Sequence, residues 1–77
     1  MERQIQERIF DLENKISELK ENCKIVSREI NQNDFEQYVV RRKIDKIKEW
    51  ESKSEFLQKT LDFNKQLYAM TYKKFIL

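Results

Sequence analysis

Residues 5–30, IQERIFDLENKISELKENCKIVSREI, decide the fold. Within them Ile5, Ile9, Leu12, Ile16, Leu19, Cys23, Val26 and Ile30 follow one another in alternating steps of four and three. A helix turns about 100° per residue, so this spacing lays all eight on one stripe, the pattern that lets one helix pack against another by knobs into holes. Few of the intervening charges form opposite-sign i,i+4 pairs. Packing of the stripe, rather than surface pairing, must therefore hold the helix. The spacing predicts a first helix over about residues 2–30.

Moving outward from that stretch, Asn31-Gln32-Asn33-Asp34 is the most polar and least helix-favouring run in the chain. Asn and Asp side chains compete for backbone hydrogen bonds and favour caps and turns. Asn33 is followed three residues later by Glu36, the spacing of a capping box. A turn at 31–34 and a second helix over about 35–76 follow, a connection short enough for antiparallel neighbours. The heptad frame also survives the gap, since Val40, Ile44 and Ile47 fall where the first helix would place them, so one continuous coiled-coil rod is the alternative.

The second helix carries a wider apolar surface. Val40, Ile44, Ile47, Trp50, Leu57, Leu61, Tyr68, Tyr72 and Phe75 gather on one side. Phe56, Phe63, Leu67 and Met70 gather on another, at 7-4-3 spacing. One seam serves one neighbour and two seams imply two. A break near 52–54, where Ser52 and Glu55 again match a capping box, would fold the chain into a three-helix bundle. At 1.5 Å per residue the arms would span roughly 43 and 63 Å, so residues beyond about Leu61 should overhang the first helix.

The whole chain of 77 residues contains no glycine and no proline. Average usage is roughly 7% and 5%, so the chain lacks the residues on which tight hairpins and phosphate-cradling loops depend. Leu, Ile, Val and Phe number 22 and charged residues make up 39%, a balance that fits long solvent-exposed helices. At this length the chain is one small domain, near the size at which a single core is marginal. The expected fold is all-α: an antiparallel helical hairpin of coiled-coil type with a longer second helix, oligomerising into a helical bundle.

Chemistry is scarce. No histidine is present to activate the serine and threonine hydroxyls or to bind zinc, and one cysteine makes neither an intramolecular disulfide nor a metal cluster. Cys23 falls on the stripe, where it reads as a small core hydrophobe. Acidic residues such as Asp11, Glu13, Glu49 and Glu51 lie among lysines and read as solvated helix surface. No catalytic, cofactor-binding or metal-ligating residue is assigned, and no enzyme activity or small-molecule substrate is expected. No apolar run approaches the ~18 residues that a membrane span needs, and no signal-peptide pattern is apparent. The default location is cytoplasmic, with the nucleus and a virion interior also open. The bias toward Lys, Ile, Asn, Glu, Phe and Tyr points to an AT-rich genome, as in a phage or low-GC bacterium.

The two halves differ in charge. Residues 1–34 hold six basic and eight acidic side chains, and residues 35–77 hold ten and six. The basic stretch Arg41, Arg42, Lys43, Lys46 and Lys48, with Tyr38 and Trp50 nearby, could contact nucleic acid. It could equally complement an acidic first helix. Eight of nine aromatics lie after residue 34, and aromatics, Met and Arg are enriched at binding hot spots.

The residues expected to form the hairpin or oligomer core are Ile5, Ile9, Leu12, Ile16, Leu19, Cys23, Val26, Ile30, Val40, Ile44, Ile47, Trp50, Leu57 and Leu61. Those expected to meet a partner are Phe56, Phe63, Leu67, Met70, Tyr72 and Phe75. An amphipathic membrane contact at the C-terminal end, flanked by Lys65, Lys73 and Lys74, is the lesser alternative. The expected function is a non-catalytic protein–protein interaction module: an adaptor, assembly factor or regulator, self-associating or docked on a protein partner. The alternative is a nucleic-acid-binding hairpin dimer.

Overall fold

A computed structural model describes residues 2–73. Two α-helices, α1 (Glu2–Gln32) and α2 (Gln37–Tyr68), fold back on each other, and a short π-helical turn (Ala69–Lys73) continues α2. Among the described residues there is no strand. The chain is an all-α antiparallel hairpin, 58 Å long and 20 by 16 Å in section. The continuous rod and the three-helix bundle are both set aside, since α2 runs unbroken through Ser52–Ser54. With no residue there to disrupt the backbone ladder, the Ser52/Glu55 pattern sits inside a regular helix. Two serines alone do not end a helix whose apolar stripe continues on both sides.

The turn has the expected four residues but lies two residues further along and is differently capped. Residues 33–36 are non-helical, so α1 runs two residues further and α2 starts two residues later than the sequence implied. Asn33 does not cap α2. Its backbone N–H and its Nδ2 both donate to the Glu29 carbonyl, at 3.1 and 3.0 Å, closing the C-terminus of α1 instead. Glu36 is the N-cap of α2, in extended conformation with no side-chain cap bond, and its carbonyl accepts from the amides of Val39 and Val40. No described residue has positive φ, which is how the chain turns without glycine.

This placement of the turn corrects the expected overhang. Pivoting between Gln32 and Gln37 sets Glu29 beside Lys43, Cys23 beside Ile47, and Glu2 beside Tyr68. Residues 61–68 therefore lie alongside α1 rather than beyond it. The arms are almost matched, 31 residues against 32, and among the described residues only the π turn extends past.

The core is a single thin seam. Ile16 and Leu19 from α1 and Leu61 from α2 are its buried apolar residues, and Ile5, Ile9, Leu12, Cys23, Val26, Ile30, Val40, Ile47, Trp50 and Leu57 are half-buried along it. Ile44, expected in the seam, is 40% exposed. Its place is taken by Lys43, whose stem lies along the seam while its ammonium reaches Glu29. The inner face of α2 is an unbroken 3–4 series: Val40, Lys43, Ile47, Trp50, Ser54, Leu57, Leu61, Asn64, Tyr68. Val40, Ile47, Ser54, Leu61 and Tyr68 keep the seven-residue count that runs from Ile5, while Lys43, Trp50, Leu57 and Asn64 stand one residue earlier than the frame of α1 would place them. Two polar members of this series, Ser54 and Asn64, are buried.

Each end of the seam is closed by polar contacts. At the turn, the Lys43 ammonium lies 2.9 Å from the Glu29 carboxylate and 4.9 Å from the centre of the Phe35 ring. At the open end, the Tyr68 hydroxyl donates to Glu2 Oε1 at 2.9 Å and accepts from Gln6 Nε2 at 2.8 Å.

Candidate protein-interaction face

Phe56, Phe63, Leu67 and Met70 lie on the side of α2 turned away from α1, with exposures of 67, 64, 40 and 69%. At 100° per residue they form a stripe about 140° from the inner seam. Thr60 falls on the same stripe. Its hydroxyl is tied back to the Phe56 carbonyl at 3.2 Å. Phe56, Thr60, Phe63, Leu67 and Met70 then recur in steps of four, three, four and three, a second heptad seam that α1 does not cover.

Tyr72, also expected to meet a partner, sits differently. It is half-buried and its ring packs on Tyr68, centroids 5.4 Å apart at 42°. It extends the clasp at the open end rather than the outer stripe. Phe75 lies outside the described residues. On α1 the exposed apolar side chains are Phe10 and Ile25, well separated along the helix, so they form no stripe.

The five cations of the basic stretch are divided by the helix. Lys43 faces α1 and pairs with Glu29. Lys46 lies 3.5 Å from Glu49 and 5.5 Å from the centre of the Trp50 ring. Arg42 sits over Tyr38, 5.9 Å from the ring centre. Arg41 and Lys48 lie on the outer surface with Ile44 and Asp45. The acidic–basic complementarity between the two helices is carried by the Glu29–Lys43 pair, while Arg3–Glu7, Lys15–Glu18 and Lys46–Glu49 are surface pairs within one helix.

Cys23 is half-buried at the helix–helix boundary, beside a shallow groove shared with Lys20, Ser54 and Glu51. Its Sγ lies 3.9 Å from the Ile47 carbonyl, a weak donation at most. Burial pushes its thiol pKa up, and the nearby Glu51 carboxylate adds to the rise. That is the opposite of an activated nucleophile. The Tyr68 phenol is also raised, first by donating to the Glu2 carboxylate, then by desolvation, with Gln6 acting against them. Among the described residues no cluster of Cys, Asp and Glu could hold a metal ion, and no helix is long and apolar enough to cross a membrane.

Sequence reasoning found the outer stripe but missed Lys43, Ser54 and Asn64 on the inner one. The signal was their spacing, which fits the 3–4 series as well as any apolar residue does. No family, no curated protein and no solved structure matches this chain.

Proposed function

We propose that this chain is a non-catalytic protein–protein interaction module, an adaptor, assembly factor or regulator that works by presenting the outer stripe of α2 to a helical partner. The observation that carries the reading is the outer stripe itself. Four large apolar side chains stand exposed on one line, on a face the hairpin does not need for its own folding. Scattered exposed apolar residues are ordinary, whereas a contiguous patch of several hundred Å² marks an interaction surface. The heptad spacing fits a helix as the opposing element. The chemistry of the chain supports a non-catalytic role: it has no histidine, and its one thiol is held toward the protonated form.

The nucleic-acid alternative keeps Arg41, Arg42 and Lys48 on the outer surface. It is weakened by the turning of Lys43 toward Glu29 and the pairing of Lys46 with Glu49.

The test is a photo-crosslinking residue placed at position 63 in the native host, compared with the same residue at exposed position 11 on α1. Discrete protein adducts from position 63 and none from position 11 support the proposal. Equal yields, or none from position 63, would refute it.

A further inference from the structure

We infer that the outer stripe of α2 is a self-association surface, on which a second copy of this chain lays its own α2 antiparallel, placing the two α2 helices at the centre of the dimer and the two α1 helices outside. The inference rests on the interaction reading above and commits it to one occupant.

Three observations point to a second copy. The first is area. The exposed fractions of Phe56, Phe63, Leu67 and Met70 amount to roughly 450 Å² of apolar side chain per chain. Two such stripes, with the lysine stems beside them, reach the total of about 1,000 Å² at which a specific interface begins.

The second observation is the surface of the whole chain. Its accessible area is 6519 Å², whereas a compact monomer of 9.6 kDa would show about 5,100 Å². The radius of gyration is 17.4 Å, against about 11.5 Å for a compact domain of this length. No large side chain of the hairpin is fully buried. A second layer of helices would supply the missing cover.

The third observation is the sequence of the stripe, which matches itself in one orientation. Upstream of Phe56 the 3–4 series continues through Lys53 and Glu49. A parallel, in-register pair would set Lys53 against Lys53 and Glu49 against Glu49 at seam positions, a like-charge arrangement that disfavours it. Turning the second copy about a two-fold axis between Thr60 and Phe63 brings Phe56 against Leu67 and Thr60 against Phe63. Lys53 then falls against Met70 rather than against its own copy, so its stem can lie on the seam while its ammonium reaches water. Such a contact is isologous and closes at two copies.

Sedimentation equilibrium of the full chain, from micromolar to sub-millimolar, tests the proposal. The expected result is a species of twice 9.6 kDa. Phe63→Glu with Leu67→Glu should weaken the dimer at least about 100-fold, because two central anchors become buried charges. Far-UV circular dichroism should stay helical, since neither residue packs on α1. Phe10→Glu, on the outer face of α1, should leave the dimer intact. Orientation is read by mixing Phe56→Cys and Leu67→Cys chains in a Cys23→Ser background and oxidising them: the mixed disulfide should exceed either homodimeric one. A monomeric wild type overturns the proposal without reference to any variant. So does an undiminished dimer in the double variant, equal disruption by Phe10→Glu, or an excess of homodimeric disulfides. A monomer whose position-63 crosslinker still captures other proteins overturns self-association alone. A monomer that captures nothing overturns the interaction reading as well.

Discussion

Asn64→Leu should make this protein more stable. Asn64 is 4% exposed, facing α1 between Leu61 and Tyr68 on the inner seam of α2. Its Nδ2 donates at 2.7 Å to the carbonyl of Thr60, one turn back on the same helix. The bond lies within α2 and does not tie the two helices together. Leucine has nearly the same branched shape, so the exchange neither opens a cavity nor overpacks the seam. Burying its two methyls is worth about 1.5 kcal/mol or more, and the better helix propensity of leucine adds about 0.4 kcal/mol. Against these stands the lost amide–carbonyl bond, about 1 kcal/mol net. The Thr60 carbonyl remains within the backbone ladder of α2.

The expected net gain is about 1–2 kcal/mol, which for a chain of this size raises Tm by roughly 5–15 °C. Urea unfolding followed by far-UV circular dichroism, repeated at several protein concentrations to separate association from folding, measures it. A higher urea midpoint with an unchanged slope supports the reasoning. A loss of more than about 0.5 kcal/mol would refute it and would mean that the Asn64 amide makes a cross-helix contact on which pairing depends. The substitution should also relax the register, as removal of a buried polar group from a helical seam does elsewhere. Loss of chemical-shift dispersion alongside higher stability would reveal that effect.

Further outcomes follow from the same geometry. A double-mutant cycle on Glu29→Gln and Lys43→Met should give a coupling of about 0.5–1 kcal/mol that shrinks in high salt, because the pair is close but partly solvated; no coupling would remove the latch at the turn. Tyr68→Phe should speed amide exchange at residues 2–6 and leave the turn end unchanged. It should also abolish the Tyr68 tyrosinate absorbance step, which is raised above the usual phenol range. Since the folded pKa of Tyr68 is the higher one, its clasp is intact below the ordinary phenol value and is lost as pH rises through the raised one. Cys23 has the same sign: the folded state favours the thiol, so alkylation should be slower than in urea-unfolded chain at the same mildly alkaline pH and should accelerate as pH climbs. Equal rates would show that the thiol is not desolvated. Gel shifts with single- and double-stranded nucleic acid should show no steep salt-dependent binding, and a strong response lost on Arg41→Ala with Lys48→Ala would favour the alternative function.

The hairpin was legible because eight apolar residues of α1 hold an unbroken heptad and because Asn31-Gln32-Asn33-Asp34 is the least helix-favouring run in the chain. The register was harder to read. Composition locates a turn to within a few residues, but a shift of two residues at each flank moves every cross-helix pair. Here it erases the expected overhang. The inner face of α2 was misread at Ile44, since hydrophobicity favoured it over Lys43. With a long aliphatic stem and a carboxylate waiting on α1, lysine fills the seam position and keeps its charge paired. Ser54 and Asn64 were overlooked for the same reason. Their polarity suggests solvent, yet the 3–4 spacing places them inward, where serine lies beside Cys23 and asparagine bonds back to its own helix. The outer stripe was visible in the spacing of Phe56, Phe63, Leu67 and Met70, but only the hairpin geometry showed that this face lies opposite α1 rather than beyond its end.

The whole account stands on the two helices being folded back in this register, because that is what leaves the outer stripe of α2 uncovered. Spin labels at exposed positions 15 and 55, in a Cys23→Ser background diluted with unlabelled protein, test it by pulsed dipolar spectroscopy. Paired helices 8–10 Å apart predict a label separation of about 20 Å. A separation near 60 Å, the length of 40 residues of continuous helix, would contradict the hairpin and place both apolar stripes on one open rod.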